Sequence, residues 1–227
     1  MLRRNLLLAG AASLVGSGAH AAANPVVLEL FTSQGCSSCP PADALLGMLA
    51  QRPGIIALAW HVDYWNRLGW RDQFASKEAT ARQESYARQL GSEVFTPALV
   101  VDGASVVVGS DRPAVERAIL ATAPFPVAVA LNRAGQGVIV EIGAGHGPLR
   151  ALSILYDTQH ETDVGAGENQ GERLREYRIV RQADILAEWP GSARQFTVSP
   201  TGIGQGRVIL VQSADLRIVG AALNASG

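Results

Sequence analysis

The chain has 227 residues, 48% of them hydrophobic and 17% charged, with a formal net charge of -1. That composition excludes a disordered tail, and the length admits one large domain or two small ones. With a single Lys beside 18 Arg and near-neutral balance, the chain lacks the electrostatic footprint expected for binding nucleic acid or an anionic membrane.

Arg3 and Arg4 precede an apolar run, Leu6 to Val15, too short to span a bilayer, and Ala19-His20-Ala21 has the small-x-small form of a signal-peptidase site. Residues 1–23 therefore read as a signal peptide, with a Sec route fitting better than a twin-arginine one. The expected location is the periplasm or the medium, with no membrane span after cleavage, because no later apolar run reaches the roughly 18 residues needed.

Val26 to Phe31 reads as a buried strand and Pro41 to Gln51 as a helix ended by Pro53-Gly54. Ile55 to Val62 is a second buried strand, and Asp72 to Leu90 a polar helix with Gly91 at its C-cap. Ala98 to Val101 and Ser105 to Val108 flank Asp102-Gly103, a hairpin signal, before a helix capped by Ser110 or Asp111 with Pro113 in its first turn. The order β-α-β-α-β-β-α predicts a four-stranded mixed sheet of thioredoxin-like layout over residues 24–123. Beyond Ala123-Pro124-Phe125-Pro126, seven short strands separated by Gly-, Asn- and Pro-rich turns predict an antiparallel all-β, sandwich-like domain over residues 124–227. The expected fold class is thus an α/β thioredoxin-like domain followed by an all-β one.

Cys36 and Cys39 are the only cysteines. A bridge across two intervening residues constrains the unfolded chain little, so stability is a weak reason for the pair in an oxidising compartment. A close pair after a strand and before a helix suits thiol exchange, with Cys36 as the exposed attacking sulfur and Cys39 as the resolving one. Thr96-Pro97, ahead of the third strand, reads as a cis-proline beside the disulfide, shaping a groove for client peptide together with Trp65. His61 and Asp63, in Trp60-His61-Val62-Asp63-Tyr64-Trp65, are candidates for a proton shuttle and supporting contacts. The expected partners are client protein thiols or disulfides and a redox partner, with no cofactor beyond the Cys36–Cys39 disulfide. The alternatives are a Cu(I) site made of Cys36, Cys39 and His61, and a non-catalytic binding module. Gly165 to Glu172 reads as a surface turn in preference to a loop folded against the cysteine face, and it bridges no strand to a helix as a phosphate loop would.

Leu30-Phe31-Thr32-Ser33-Gln34-Gly35-Cys36-Ser37-Ser38-Cys39-Pro40-Pro41-Ala42-Asp43, the segments Trp60 to Trp65 and Leu68-Gly69-Trp70, Thr96-Pro97 and Gly167 to Gly171 together resemble the secreted, thioredoxin-like bacterial proteins of domain-of-unknown-function family 1223. The resemblance covers nearly the whole mature chain. It implies that fold and export, and it brings no established substrate. Relative to ordinary thioredoxins, Gly35 stands where a Trp is expected, Ser37-Ser38 replaces Gly-Pro, and two prolines follow Cys39.

Overall fold

A computed structural model describes residues 25–135 and 137–225, so the signal-peptide reading of residues 1–23 lies outside the described residues. The first half runs β1 (Val26–Thr32), α1 (Pro40–Leu49), β2 (Ile55–His61), a 3-10 turn (Tyr64–Leu68), α2 (Lys77–Leu90), β3 (Ala98–Val101), β4 (Ser105–Val108) and α3 (Arg112–Leu120). The second half is all strand: β5 (Val129–Ala134), β6 (Gly137–Ile142), β7 (Leu149–Asp163), β8 (Arg173–Trp189), β9 (Arg194–Val198), β10 (Gln205–Ser213) and β11 (Ile218–Ala225).

Local chemistry accounts for the element ends. Ser76 caps α2 by accepting from the Ala79 amide, Asp111 caps α3 by accepting from the Ala114 amide, and Gly91 ends α2 in the left-handed region. Asp102 and Gly103 both take positive φ at the centre of the turn that Ala104 N closes on Val101 O, within the three-residue β3–β4 connection. Successive side chains of a strand point to opposite faces, so β1 feeds two cores. Leu28 and Leu30 pack with Leu45, Leu46 and Leu49 of α1 and Val115 of α3. Val27 and Phe31 pack on the other face with Leu58, Trp60, Tyr86, Ile154 and Leu210.

That second core draws on both halves of the chain, and the sheet does too. One eight-stranded mixed sheet runs β11-β10-β7-β8-β2-β1-β3-β4, and only β5-β6-β9 form a separate three-stranded sheet. The expected thioredoxin-like domain followed by an all-β sandwich is therefore corrected to a predominantly β fold, built on a sheet that continues across the anticipated division. The junction is the parallel pairing of Ala59 in β2 with Ile179 in β8. A β2 edge left open would present unpaired backbone groups, and β8 covers it. The strands β7 and β8, 15 and 17 residues long, also extend well beyond the segments read from sequence, because polar residues continue their ladder past the core. Helix α1 lies close to β8: a Cβ on Gly47 would overlap the Tyr177 ring.

A buried ion pair also joins the halves. Glu29, on the Val27 and Phe31 face of β1, is fully buried and accepts from Arg82 Nε at 2.6 Å, Arg82 Nη2 at 2.9 Å and the Tyr86 hydroxyl at 2.6 Å. Gln212 of β10 donates to the same hydroxyl at 2.9 Å, and the Arg82 guanidinium sits 5.0 Å from the Trp60 ring centroid. Replacing Arg82 with Met leaves the Glu29 charge buried without its cation, so Arg82→Met should lower the unfolding free energy by about 3–5 kcal/mol. Urea unfolding of the two proteins measures this, and a loss below about 1 kcal/mol would show that Glu29 does not depend on the pair.

Candidate functional site

The cysteine loop leaves the carboxyl end of β1 at Thr32 and turns tightly, with the Cys36 amide donating to Ser33 O and the Cys39 amide to Cys36 O, each at 3.1 Å. Cys39 is the N-cap residue of α1, and Pro40 and Pro41 occupy its first turn, where a missing N–H costs nothing. The helix thus begins after the second cysteine, leaving Cys36 in the preceding turn. Cys36 and Cys39 form a disulfide with their Cα atoms 5.4 Å apart.

Trp65, Thr96 and Pro97 gather around Cys36. The Thr96–Pro97 peptide is cis, the Thr96 hydroxyl donates to Cys36 Sγ at 3.3 Å, and Trp65 Nε1 donates to Thr96 Oγ1 at 2.9 Å. Ser38 Oγ lies 3.3 Å from the same sulfur. The expected exposed sulfur is not found: Cys36 and Cys39 are both 0% exposed.

Sequence alone assigns the stretch 164–172, at the tip of the β7–β8 hairpin, to a surface turn. It folds against the cysteine loop instead, because its side chains satisfy that loop's backbone. Asn169 Nδ2 donates to Gln34 O at 2.9 Å and to Cys36 O at 3.0 Å. Glu168 Oε2 accepts from the Ser37 amide at 3.1 Å and the Ser37 hydroxyl at 2.7 Å.

Beside the loop lies a buried polar cluster. His61 Nδ1 is 2.7 Å from Asp72 Oδ2, and His61 Nε2 is 3.9 Å from Glu176 Oε1, with all three side chains at most 1% exposed. Gln34 donates its amide N–H to Asp72 at 2.9 Å and its Nε2 to Thr162 and Glu176 at 3.0 Å each, while Trp70 Nε1 donates to Gln34 Oε1 at 2.9 Å. Asp43 accepts from Thr32 Oγ1 at 3.1 Å. Burial opposes charge on His61, but Asp72, Glu176 and Asp43 overcome it and push its pKa up to about 9. Burial pushes Asp43 up to about 7 despite the attraction of His61, and it raises Glu176 as well. Asp72, although buried, is held below the usual carboxylate range by His61 and by the Gln34 and Phe74 amides.

His61 is therefore in a charged cluster, and its partner is Asp72. Asp63 accepts from Thr80 Oγ1 at 2.7 Å, tying the end of β2 to the first turn of α2. Sequence reading missed Gln34, Asp43, Asp72, Glu168, Asn169 and Glu176. Asp43 carried a readable signal, since its amide donates to Cys39 O four residues back along α1. The others come from loops and strands whose approach no local spacing reveals. A Cu(I) site on Cys36, Cys39 and His61 fits poorly, because both imidazole nitrogens face carboxylates and the sulfurs are bonded to each other. Among the described residues no group of three His, Cys, Asp or Glu side chains is arranged to hold a metal ion.

For both His61 and Asp43 the folded pKa lies above the ordinary value, so each contributes stability that is present at low pH and lost as pH rises. The windows run from 3.8 to about 7 for Asp43 and from 6.5 to about 9 for His61. The thermal midpoint should fall as pH rises from 6.5 to about 9, and His61→Gln should flatten that limb. A flat wild-type profile over that range would show that His61 is not held charged.

A protein from Agrobacterium tumefaciens, known from a crystal structure of a structural genomics consortium, is similar at 33% identity with a TM-score of 0.77, covering 89% of this chain and 96% of that one. HBP35 of Porphyromonas gingivalis matches at 14% identity with a TM-score of 0.57, covering 88% of this chain and 74% of that one, a likeness of fold alone. Neither lends support to the thioredoxin-like assignment. No curated protein matches. The matching family is described as protein of unknown function (DUF1223), and its profile spans residues 27–212. Cysteine loop, cis-proline, His61 and the covering hairpin tip all fall within that span, and the chain belongs to this family.

Proposed function

We propose that the protein exchanges disulfides with client proteins through Cys36 and Cys39, in the periplasm or outside the cell. The observation that carries this reading is a disulfide at a strand-to-helix junction with the Thr96 hydroxyl donating to one of its two sulfurs, Cys36 Sγ. A hydroxyl that donates to a sulfur stabilises it as a thiolate, the form that attacks. Thr96 is itself held by Trp65 Nε1, so the donor is oriented before reaction.

In the reduced protein, the Cys36 thiolate attacks a client disulfide. A Cys36–client bond forms as the client S–S bond breaks, and the second client sulfur leaves as a thiolate and takes a proton. The Cys39 thiolate then attacks Cys36 Sγ, closing the internal disulfide and expelling the first client sulfur. Two electrons pass from protein to client, and the reverse sequence oxidises a client dithiol. The proposed redox partner restores the starting state. Asp43 lies in the adjoining cluster and offers a group that titrates near neutral pH, beside a His61 that is held charged.

Cys39→Ala should accumulate mixed disulfides through Cys36 when mixed with reducible client proteins, and the added Cys36→Ala change should abolish them. The wild-type pair should equilibrate with glutathione or dithiothreitol at a potential between about -270 and -120 mV, the range of working exchange catalysts. An empty trap, together with a potential below about -300 mV, would overturn the proposal.

A further inference from the structure

We propose that residues 164–172 form a redox-linked cover, which Glu168 latches over the Cys36–Cys39 disulfide and releases when the pair is reduced. This rests on the exchange reading only in requiring that the pair cycle between disulfide and dithiol.

The geometry sets the need. A thiolate attacks a disulfide along the S–S axis, and here both cysteines are wholly buried while the neighbouring Ser37 and Ser38 are exposed. Something must move before any thiol reaches the bond. The hairpin tip is built to move as a unit. Its neck is closed by its own backbone, with Val164 N donating to Glu172 O at 2.9 Å and Gly171 N to Val164 O at 2.8 Å, so lifting the tip leaves the β7–β8 ladder intact. Its hold on the cysteine loop comes from the side chains of Glu168 and Asn169, all to residues 34–37. Where the tip passes Trp70 it presents Gly165 and Gly167, which carry no side chain to anchor there.

The chemistry supplies the trigger. The Glu168 carboxylate takes the N–H of the residue directly after Cys36. While Cys36 is in a disulfide it carries no charge, and the carboxylate meets no repulsion. Reduction to a Cys36 thiolate places a second anion on the residue that directly precedes the latched amide, and the two like charges repel. The latch therefore binds the oxidised form better. By linkage, the cover stabilises the disulfide to the same degree that the disulfide stabilises the cover. Closed, it shields the bond from small thiols; open, it frees Cys36 to meet a client.

The test uses the full protein in both redox states. Dithiothreitol reduces the pair, its two thiols becoming a cyclic disulfide as Cys36 and Cys39 become thiols. Amides of residues 164–172 should exchange hydrogen at least about threefold faster after reduction. Glu168→Ala, a change to an exposed side chain, should exchange equally fast in both states, and its disulfide should be reduced at least about threefold faster than wild type. Glu168→Gln keeps a hydrogen-bond acceptor without the charge and should stay protected in both states. Wild-type protection unaltered by reduction would overturn the proposal. An unchanged reduction rate in Glu168→Ala, or opening of Glu168→Gln on reduction, would do the same. None of these readouts uses a client, so an empty client trap leaves them intact, and a rigid cover leaves the trap result intact.

Discussion

A single buried amide side chain, that of Gln34, has to be satisfied within the protein, and the groups that satisfy it come from the segments bordering the cysteines. Trp70 supplies a donor, Thr162 and Glu176 supply acceptors, and the backbone of the same residue is met by Asp72 and Asn169. An unpaired polar group in such a place would cost a few kcal/mol, about the size of the effect of a severe core mutation. The loop after β1, the loop before α2 and the β7–β8 hairpin are therefore held in one mutual arrangement. The conformation of the cysteine turn follows from it.

The charges of the neighbouring cluster obey the same constraint. Asp43, Asp72 and Glu176 surround one imidazole, and full ionisation would leave a net negative charge in a region closed to water. The arrangement relaxes by keeping His61 charged, holding Asp72 ionised through direct hydrogen bonds and raising Asp43 and Glu176 toward their neutral forms. A group that titrates near neutral pH thus sits on the helix capped by Cys39, one turn beyond it. Its position there is a consequence of burial, whatever use the chemistry makes of it.

The continuous sheet gives these contacts their frame. Because β8 pairs with β2, the far end of the β7–β8 hairpin overhangs the loop at the end of β1, and its tip reaches residues 34–37. Two independent domains on a linker would not hold Asn169 within hydrogen-bonding distance of the Cys36 carbonyl. The Glu29–Arg82–Tyr86–Gln212 network secures the opposite face of the sheet, joining β1 and α2 to β10. The cover of the disulfide and the merger of the two halves are one structural fact seen at two places.

Local signals in the sequence were enough for the elements of the first half, the β3–β4 turn, the cysteine pair and the placing of Thr96-Pro97 beside it. Each depends on a short-range rule: apolar periodicity, a cap, a tight turn with positive φ, or spacing along one loop. They were also enough to single out His61 and Asp63 as candidates, but not their partners: His61 is bound by Asp72, and Asp63 accepts from Thr80. What joined β8 to β2, lengthened β7 and β8, laid Glu168 and Asn169 over Cys36 and gathered three carboxylates around His61 was decided by tertiary structure alone. Those contacts link residues up to 142 positions apart, as between Gln34 and Glu176, and they form because buried edges and buried polar groups must find partners wherever the chain can supply them.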